Sequence, residues 1–596
     1  MQKSKKPHKK QKGAALILMA FIIGLAVIAY LFHALDPQRL RLEQDKKTMQ
    51  TLNEAKQALI AWSVSHKYNP GQMPWPDRNG DGVYDGSSDC VTTLFQYSFL
   101  LGQLPSKPDT SPCLDPNNGL TVYTGLSTYP SLGKEFRDAQ GNRLWYAVSR
   151  NLVYDSEHNE SPIINPGMIN PPYAITPYLR QGGTQAYPWL QVLDRNGNLV
   201  SDRVAVVIIA AGDPLVGQNR AAVAPNASEF LDSFKIGAAN YKNSDSAIAD
   251  EDFIMGEDSR NVPSSDPTFV QPYNFNDKLV YITVDELMYV LEKRVLEEAK
   301  NTLKAYYVTN GYYPFAAGLN SATNPNQCVQ GNYRGLLPVN APLSHTCSCT
   351  SSTKTCSCNF SVVSSISFTR SSGTFAAFGA NGPTGACTVS PTNTCTCNGV
   401  GSCKRSSGAV QFSCDACGTC TAAVAGTNKF NTMGTFTSAA GICTNTSNQA
   451  TCSTSANGTF TLSACADSPI PTSPTINGLA PWFLANHWEN YIYYATSSNC
   501  TSTGVNCTTA APQLTVGTKS NIRAVLASPG AAIVAAPYAA SKSLAQSARP
   551  SCEIKDYLDA TENTNQAIAN GLQDFLYQIT QNRGESYNDQ IVIVAP

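Results

Sequence analysis

Cysteine is the residue type whose spacing most directly suggests chemistry in this chain. Twenty occur in 596 residues, and all but three lie between Cys328 and Cys507. Cys347/Cys349, Cys356/Cys358 and Cys395/Cys397 are spaced CxC, and Cys414, Cys417 and Cys420 are spaced CxxCxxC. Such spacings suit zinc or an iron–sulfur cluster in a reducing compartment and disulfides in an oxidising one. His345 and His487 are the histidines close enough in sequence to join them as ligands.

A second constellation is the DRNGDGVYD stretch. Asp77, Asn79 and Asp81 place oxygens at alternate positions, Gly82 permits a sharp turn, Val83 offers a carbonyl, and Asp85 follows as a later ligand. That pattern matches the front half of a calcium loop, although its twelfth position is Ser88 instead of a bidentate Glu. A solvent-exposed Asn-Gly/Asp-Gly turn is the competing reading. Asp194, Asn196 and Asn198 form a poorer copy that reads as a hairpin turn.

Catalytic signatures are sparse. No Gly-x-Ser-x-Gly elbow, His-Glu-x-x-His pair or Walker loop occurs, and Asp250, Glu251 and Asp252 read as a solvated acidic loop. Trp75 and Trp482 read as covers on a core edge. An enzyme is therefore not expected, and no cofactor beyond calcium at Asp77–Asp85 is implied. The formal net charge is −1, and the chain without its six leader lysines stands at −7, which disfavours nucleic acid as partner.

Those lysines precede an unbroken apolar run from Ala14 to Phe32, long enough as a helix to span about 30 Å. Lysines on one flank predict a single-pass bacterial inner-membrane protein with its bulk in the periplasm or on an extracellular filament. Export in turn favours disulfides. The candidates are Cys90, Cys113, Cys347, Cys349, Cys356, Cys358, Cys387, Cys395, Cys397, Cys403, Cys414, Cys417, Cys420, Cys443, Cys452, Cys465, Cys500 and Cys507, with connectivity open.

Gly13 sits between the lysines and the apolar run, in KGAALI, and Pro37 follows the run. Here the sequence resembles the type IV prepilin family, including the pseudopilins of type II secretion. The resemblance implies cleavage between Gly13 and Ala14 by a prepilin peptidase, methylation of the new N-terminus, and packing of the apolar helix against other pilins. Most members carry Glu at the fifth position after the cut, where this chain has Leu18. That departure resembles minor pilins and tip pseudopilins, and implies a tip or low-abundance subunit. The alternative is a permanently membrane-anchored binding module or adhesin that enters no filament.

The elements that must position these residues recur. LNEAKQALIAWSV from Leu52 matches LEEAKNTLKAYYV from Leu296. NRLWYAVS from Asn142, VAVVIIAAG from Val204 and FNDKLVYI from Phe275 find counterparts, in the same order, in NYIYYATS from Asn490, IRAVLASPG from Ile522 and YNDQIVIV from Tyr587. Four ordered matches predict a tandem duplication. Within each copy a helix precedes strands, including a turn at Asn196-Gly197, which predicts an α+β plan with an antiparallel sheet. The resemblance implies a pilin-like head for each copy.

The expected organisation is a basic leader (1–13), a transmembrane helix (14–35), a first pilin-like domain (36–283) and a second (284–596). A Cys/Ser/Thr-rich β insertion at 341–477 lacks aliphatic mass for a core of its own, and is the candidate recognition surface, its ligand unspecified. Thr283-Val-Asp-Glu286 is a capping box, so the last strand of copy one should feed directly into a helix over about 284–308.

Overall fold

A computed structural model describes residues 18–25, 37–78, 100–106, 132–153, 161–168, 178–179, 185–215, 217–221, 225–237, 239–244, 252–256, 275–319 and 333–339. It also describes the strands between 344 and 463, and residues 470–472, 478–501, 514–532, 546, 549–551, 554–559, 576–577 and 588–595.

Four helices are used below: α1 (18–25), α2 (Pro37–Ser65), α3 (Val284–Asn310) and α4 (Pro481–Ala485). Among the described residues, no helix is long and apolar enough to cross a membrane. This corrects the expected long N-terminal membrane helix, and with it the single-pass inner-membrane placement. The reason is charge. The next helix, α2, begins with Arg39, Arg41, Glu43, Asp45, Lys46 and Lys47.

The chain divides into two compact units. The first comprises 1–62, 74–149 and 190–282. Its strands are β1 (Leu101–Gln103), β2 (Trp145–Val148), β3 (Leu190–Leu193), β4 (Leu199–Ala210), β5 (Asp252–Ile254) and β6 (Lys278–Thr283). They pair in the order β1-β2-β4-β3-β5, with β6 also on β4. Trp145 and Ala147 alternate onto the face that carries Leu190, Val192, Val204, Val207, Ile209, Phe253 and Leu279, the main core of this unit. On α2, Leu52, Ala55 and Leu59 are fully buried at helical spacing. Lys56 of α2 donates to the Tyr281 carbonyl at 2.8 Å, and Asp45 pairs with Lys278 at 2.9 Å, so α2 is tied to β6.

The second unit comprises 63–73, 150–189 and 283–596. Outside the insertion the strands of its two larger sheets begin with β7 (Arg334–Leu336). Four strands of the insertion matter here: β8 (Ser344–Thr350), β9 (Thr355–Ser361), β10 (Thr419–Ala425) and β11 (Gly458–Ser463). The unit closes with β12 (Tyr493–Thr496), β13 (Leu514–Val516), β14 (Lys519–Ile522), β15 (Ala524–Ser528), β16 (Leu576–Tyr577) and β17 (Gln590–Ala595). One sheet runs β7-β12-β15-β17 and a second runs β14-β13-β16. The core gathers Leu336, Tyr493, Ala495, Leu514, Val525, Ala527 and Tyr557, and α3 packs against β15 and β17.

The two units repeat one pairing scheme. β2 lies antiparallel to β4, with Trp145 opposite Ile209, and β12 lies antiparallel to β15, with Tyr493 opposite Ala527. β5 runs parallel to β3 and β16 runs parallel to β13. The sheets are therefore mixed, which corrects the antiparallel α+β expectation. Each parallel partner arrives after a long connection, which a parallel pair requires and a hairpin does not. Tyr146 donates its hydroxyl to the Pro74 carbonyl at 3.1 Å, and Tyr494 does the same to Pro314 at 2.9 Å.

At the junction Thr283 ends β6 and caps α3, its hydroxyl accepting from the Glu286 amide at 3.1 Å. The helix stops at Gly311, whose φ of 78° is the left-handed cap that favours glycine. Between 344 and 463 the strands form an eight-stranded and a six-stranded antiparallel sheet. The cysteine side chains of this insertion, for which disulfides were expected, lie outside what the structure describes; Cys500, outside the insertion, is disulfide-bonded.

Candidate functional site

At the first position of the calcium motif, Asp77 has a protein partner. The Asp77 carboxylate receives Arg143 Nη1 at 3.0 Å, both side chains buried. Its backbone exchanges hydrogen bonds with Gln103 at 2.9 and 2.7 Å. Arg143 also reaches Gln103 Oε1 at 2.5 Å, the Leu104 carbonyl at 3.1 Å and Glu135 at 3.2 Å. Asp77 is thus the counter-ion of a buried arginine that pins β1. Asn79, Asp81, Val83 and Asp85 lie outside the described residues, as do Gly13, Ala14, Cys90, Cys113, Cys417, Cys465 and Cys507. Asp194 makes a turn. Its carboxylate accepts from the Asn196 and Asn198 amides at 2.8 Å each, and the Asn198 hydrogen bonds hold it below the usual carboxylate range.

The densest polar constellation is one that motif reading missed. Asp232 Oδ1 accepts from Gln218 at 3.0 Å and Oδ2 from the Asn276 amide at 2.7 Å. Asp277 Oδ2 accepts from the Asp232 amide at 2.8 Å and from Asn243 at 3.0 Å. Arg220 supplies the positive charge. It bonds the carbonyls of Gly212 at 2.7 Å and of Ala211, Glu229 and Phe230 at 3.2 Å each, with its guanidinium 4.9 Å from the Phe230 ring centroid. Gln218 Oε1 accepts from Arg220 at 2.8 Å, closing the circuit.

The second unit rebuilds the same circuit. Gln546 donates to Asp559 Oδ1 at 2.7 Å, the Asn588 amide to Asp559 Oδ2 at 2.6 Å, and the Asp559 amide to Asp589 Oδ2 at 2.8 Å. Arg549 donates to Gln546 at 3.0 Å and to the Gly530 and Asp556 carbonyls, with Tyr557 where the first unit has Phe230. Asn276 reaches the Asp213 carbonyl at 2.8 Å, and Asn588 reaches Ala531 at 2.7 Å.

Burial dominates the electrostatics. It pushes Asp232 up to about 6 and Asp277 well above the usual range, the latter raised further by the Asp232 charge. Burial lowers Arg220 and Arg549. Chemically, burial favours the protonated form of these carboxyls, and the cluster fastens the loop after β4. Its bonded carboxylate oxygens accept from the Asp232 and Asn276 amides and from the Gln218 and Asn243 side chains. The FNDKLVYI/YNDQIVIV match contained its Asn-Asp pairs. The Gln–Arg half escaped notice because its spacing is QxR in one copy and QxxR in the other.

No protein-family model matches the chain and no solved structure matches it. A 75-residue stretch is 35 % identical to the GPI-anchored protein LLG1 of Arabidopsis thaliana. That stretch is 12 % of this chain and 45 % of the relative, so the chain spans under half the length of the curated protein it matches.

Proposed function

We propose that the chain is a non-enzymatic structural and interaction subunit of minor-pilin type that assembles by packing its N-terminal helix against like helices. One observation carries the reading. Leu18, Met19, Phe21, Ile22, Ile23 and Leu25 on α1 are between 52 % and 66 % exposed. Fully burying one such side chain stabilises by roughly 1.5–3 kcal/mol, so an isolated α1 in water is strongly disfavoured relative to one in a helix bundle. Support also comes from the doubled helix-plus-sheet head and from Gly13–Ala14, the processing point expected from the prepilin resemblance. The partners are then other pilin-type helices and the peptidase that exposes Ala14. The broad sheets of the insertion supply the recognition face.

The test is assembly of the full chain after leader removal, followed by sedimentation and by cross-linking through α1. Phe21→Asp with Ile22→Asp is expected to abolish the assemblies and leave the heads folded. A wild-type chain that stays monomeric with or without Gly13–Ala14 cleavage overturns the reading. Partner capture through the insertion by such a monomer favours a binding module outside any filament.

A further inference from the structure

The last strand of each unit lies at an edge of its sheet, and the two edges are finished differently. β6 pairs with β4 and β17 pairs with β15, and among the described residues neither has a strand on its other side. Unpaired N–H and C=O groups along such an edge invite a further strand, and lysines commonly guard against it. In the first unit two lysines do so. Lys278 opens β6 and pairs with Asp45 at 2.9 Å, while Lys56 of α2 donates to the Tyr281 carbonyl at 2.8 Å.

The second unit has neither guard. In the FNDKLVYI/YNDQIVIV match Gln590 stands for Lys278 and Ile593 for Tyr281, and in the helix match Lys300 stands for Lys56. Gln590 is neutral and donates to the Tyr289 carbonyl at 3.0 Å and to Glu292 at 2.9 Å. Lys300 bonds Glu297 at 2.7 Å, and Glu297 stands where the first copy has Asn53. β17 is thus an uncharged strand, QIVIVA, in which Ile591, Val592 and Ile593 are half-buried.

The first copy also orients this edge. The Tyr281 carbonyl meets a side chain, so it lies on the outer side of β6, and the matching Ile593 carbonyl lies on the outer side of β17. Backbone groups of an antiparallel strand turn outward at every second residue, so those of Ile591 do the same. Val592 stands opposite Leu526 on β15 and turns inward. The side chains of Ile591 and Ile593 pack on the core, and that of Val592 points to the other face. A second strand related by two-fold symmetry keeps both faces continuous only when like-facing residues oppose. That centres the pair on Val592 and sets Ile591 opposite Ile593, each exchanging N–H and C=O with the other. No like charges meet in this register, and the irregularity between Ile593 and Ala595 ends it.

We propose that the outer edge of β17 is a strand-pairing surface whose partner is β17 of a second copy of this chain, joined antiparallel about Val592. A two-fold contact needs a patch that is its own complement, and an uncharged strand whose outward-turned residues are both isoleucine is one. The pairing extends the β7-β12-β15-β17 sheet across two copies. It uses no part of α1, so it stands or falls separately from the helix packing proposed above.

The experiment uses the full chain carrying Phe21→Asp and Ile22→Asp, which removes assembly through α1. Sedimentation should show the mass doubling as concentration rises. In the dimer the amides of Ile591 and Ile593 should exchange with deuterium more slowly, while that of Val592, already held by β15, should not change. Val592→Cys should give, on oxidation, a crosslink of residue 592 to itself, because non-hydrogen-bonded partners stand about 4.5 Å apart at Cα. Glu297→Asn releases Lys300 to cap the Ile593 carbonyl as Lys56 caps Tyr281, and should shift the equilibrium towards monomer. A chain that stays monomeric across the concentration range, dimers whose Ile591 and Ile593 amides exchange at the monomer rate, or Val592→Cys dimers without the 592–592 crosslink overturn the surface.

Discussion

The amide of Asp232 donates to Oδ2 of Asp277 at 2.8 Å, so one acidic residue holds the carboxyl of another by its backbone. Two carboxyls placed this way share one arginine, Arg220, which also interacts with the charges of Asp138 and Asp213. Burial raises Asp138 as well. The cluster therefore favours bound protons, and its stability depends on pH.

The sign follows from the direction of the shift. Asp232 titrates at about 6 in the folded chain against an ordinary 3.8, so the folded state binds the extra proton. The contribution is complete below pH 4 and lost as pH rises through about 6. Thermal unfolding followed from pH 4 to 8 should show this fall, on the order of 2 kcal/mol. Asp277→Asn keeps the acceptor and removes the charge, and should flatten the slope. An unchanged slope in that variant contradicts a raised Asp277 carboxyl.

His66 gives the opposite limb. Burial, aided by the Arg294 charge, pushes it down to about 3, and its Nδ1 accepts from the Asn69 amide at 2.9 Å. A depressed histidine stabilises the fold above its ordinary value of 6.5 and loses that contribution as pH falls towards 3. The His66 ring should remain neutral by NMR at pH 5, and a ring that protonates near 6.5 would contradict this environment.

Removing one member of the Asp77–Arg143 pair leaves the other buried and charged. Asp77→Ala should cost roughly 3–5 kcal/mol by denaturant titration, and added calcium should not protect the wild-type chain through this residue. A loss below about 1 kcal/mol would show the pair to be as weak as a surface bridge.

Equivalent bonds should weigh equally. Tyr146→Phe and Tyr494→Phe each delete a hydroxyl donor to a proline carbonyl, and each should cost about 0.5–1.5 kcal/mol. Comparable losses in chemical unfolding support one inherited packing scheme. A large loss at one tyrosine and none at the other separates the two units energetically.

Local signals were legible in the sequence. Pro37 opens α2, the Thr283–Glu286 box opens α3, and Asn196-Gly197 turns β3 into β4. Period and cap chemistry act over a few residues, so they survive without tertiary information. The parallel strands were not legible, because Val192 meets Phe253 across a long stretch of intervening chain. The charge cluster was half legible: Asn276-Asp277 repeats as Asn588-Asp589, but Arg220 and Arg549 bond mainly to carbonyls, which any sequence provides. The Asp77–Arg143 pair was not legible, because a turn motif says nothing of an arginine brought to it by the fold. The membrane reading of the apolar run is overturned because, among the described residues, no helix is long and apolar enough to cross a membrane.

Repeats in tandem usually meet at a spacer, where extra residues do no harm. Thr283 leaves none: one residue closes a strand and begins a helix. Adding a single amino acid there must displace either the β6 register or the hydroxyl that holds the first helical turn. The seam between the copies is accordingly the place where this chain should be least forgiving of inserted sequence.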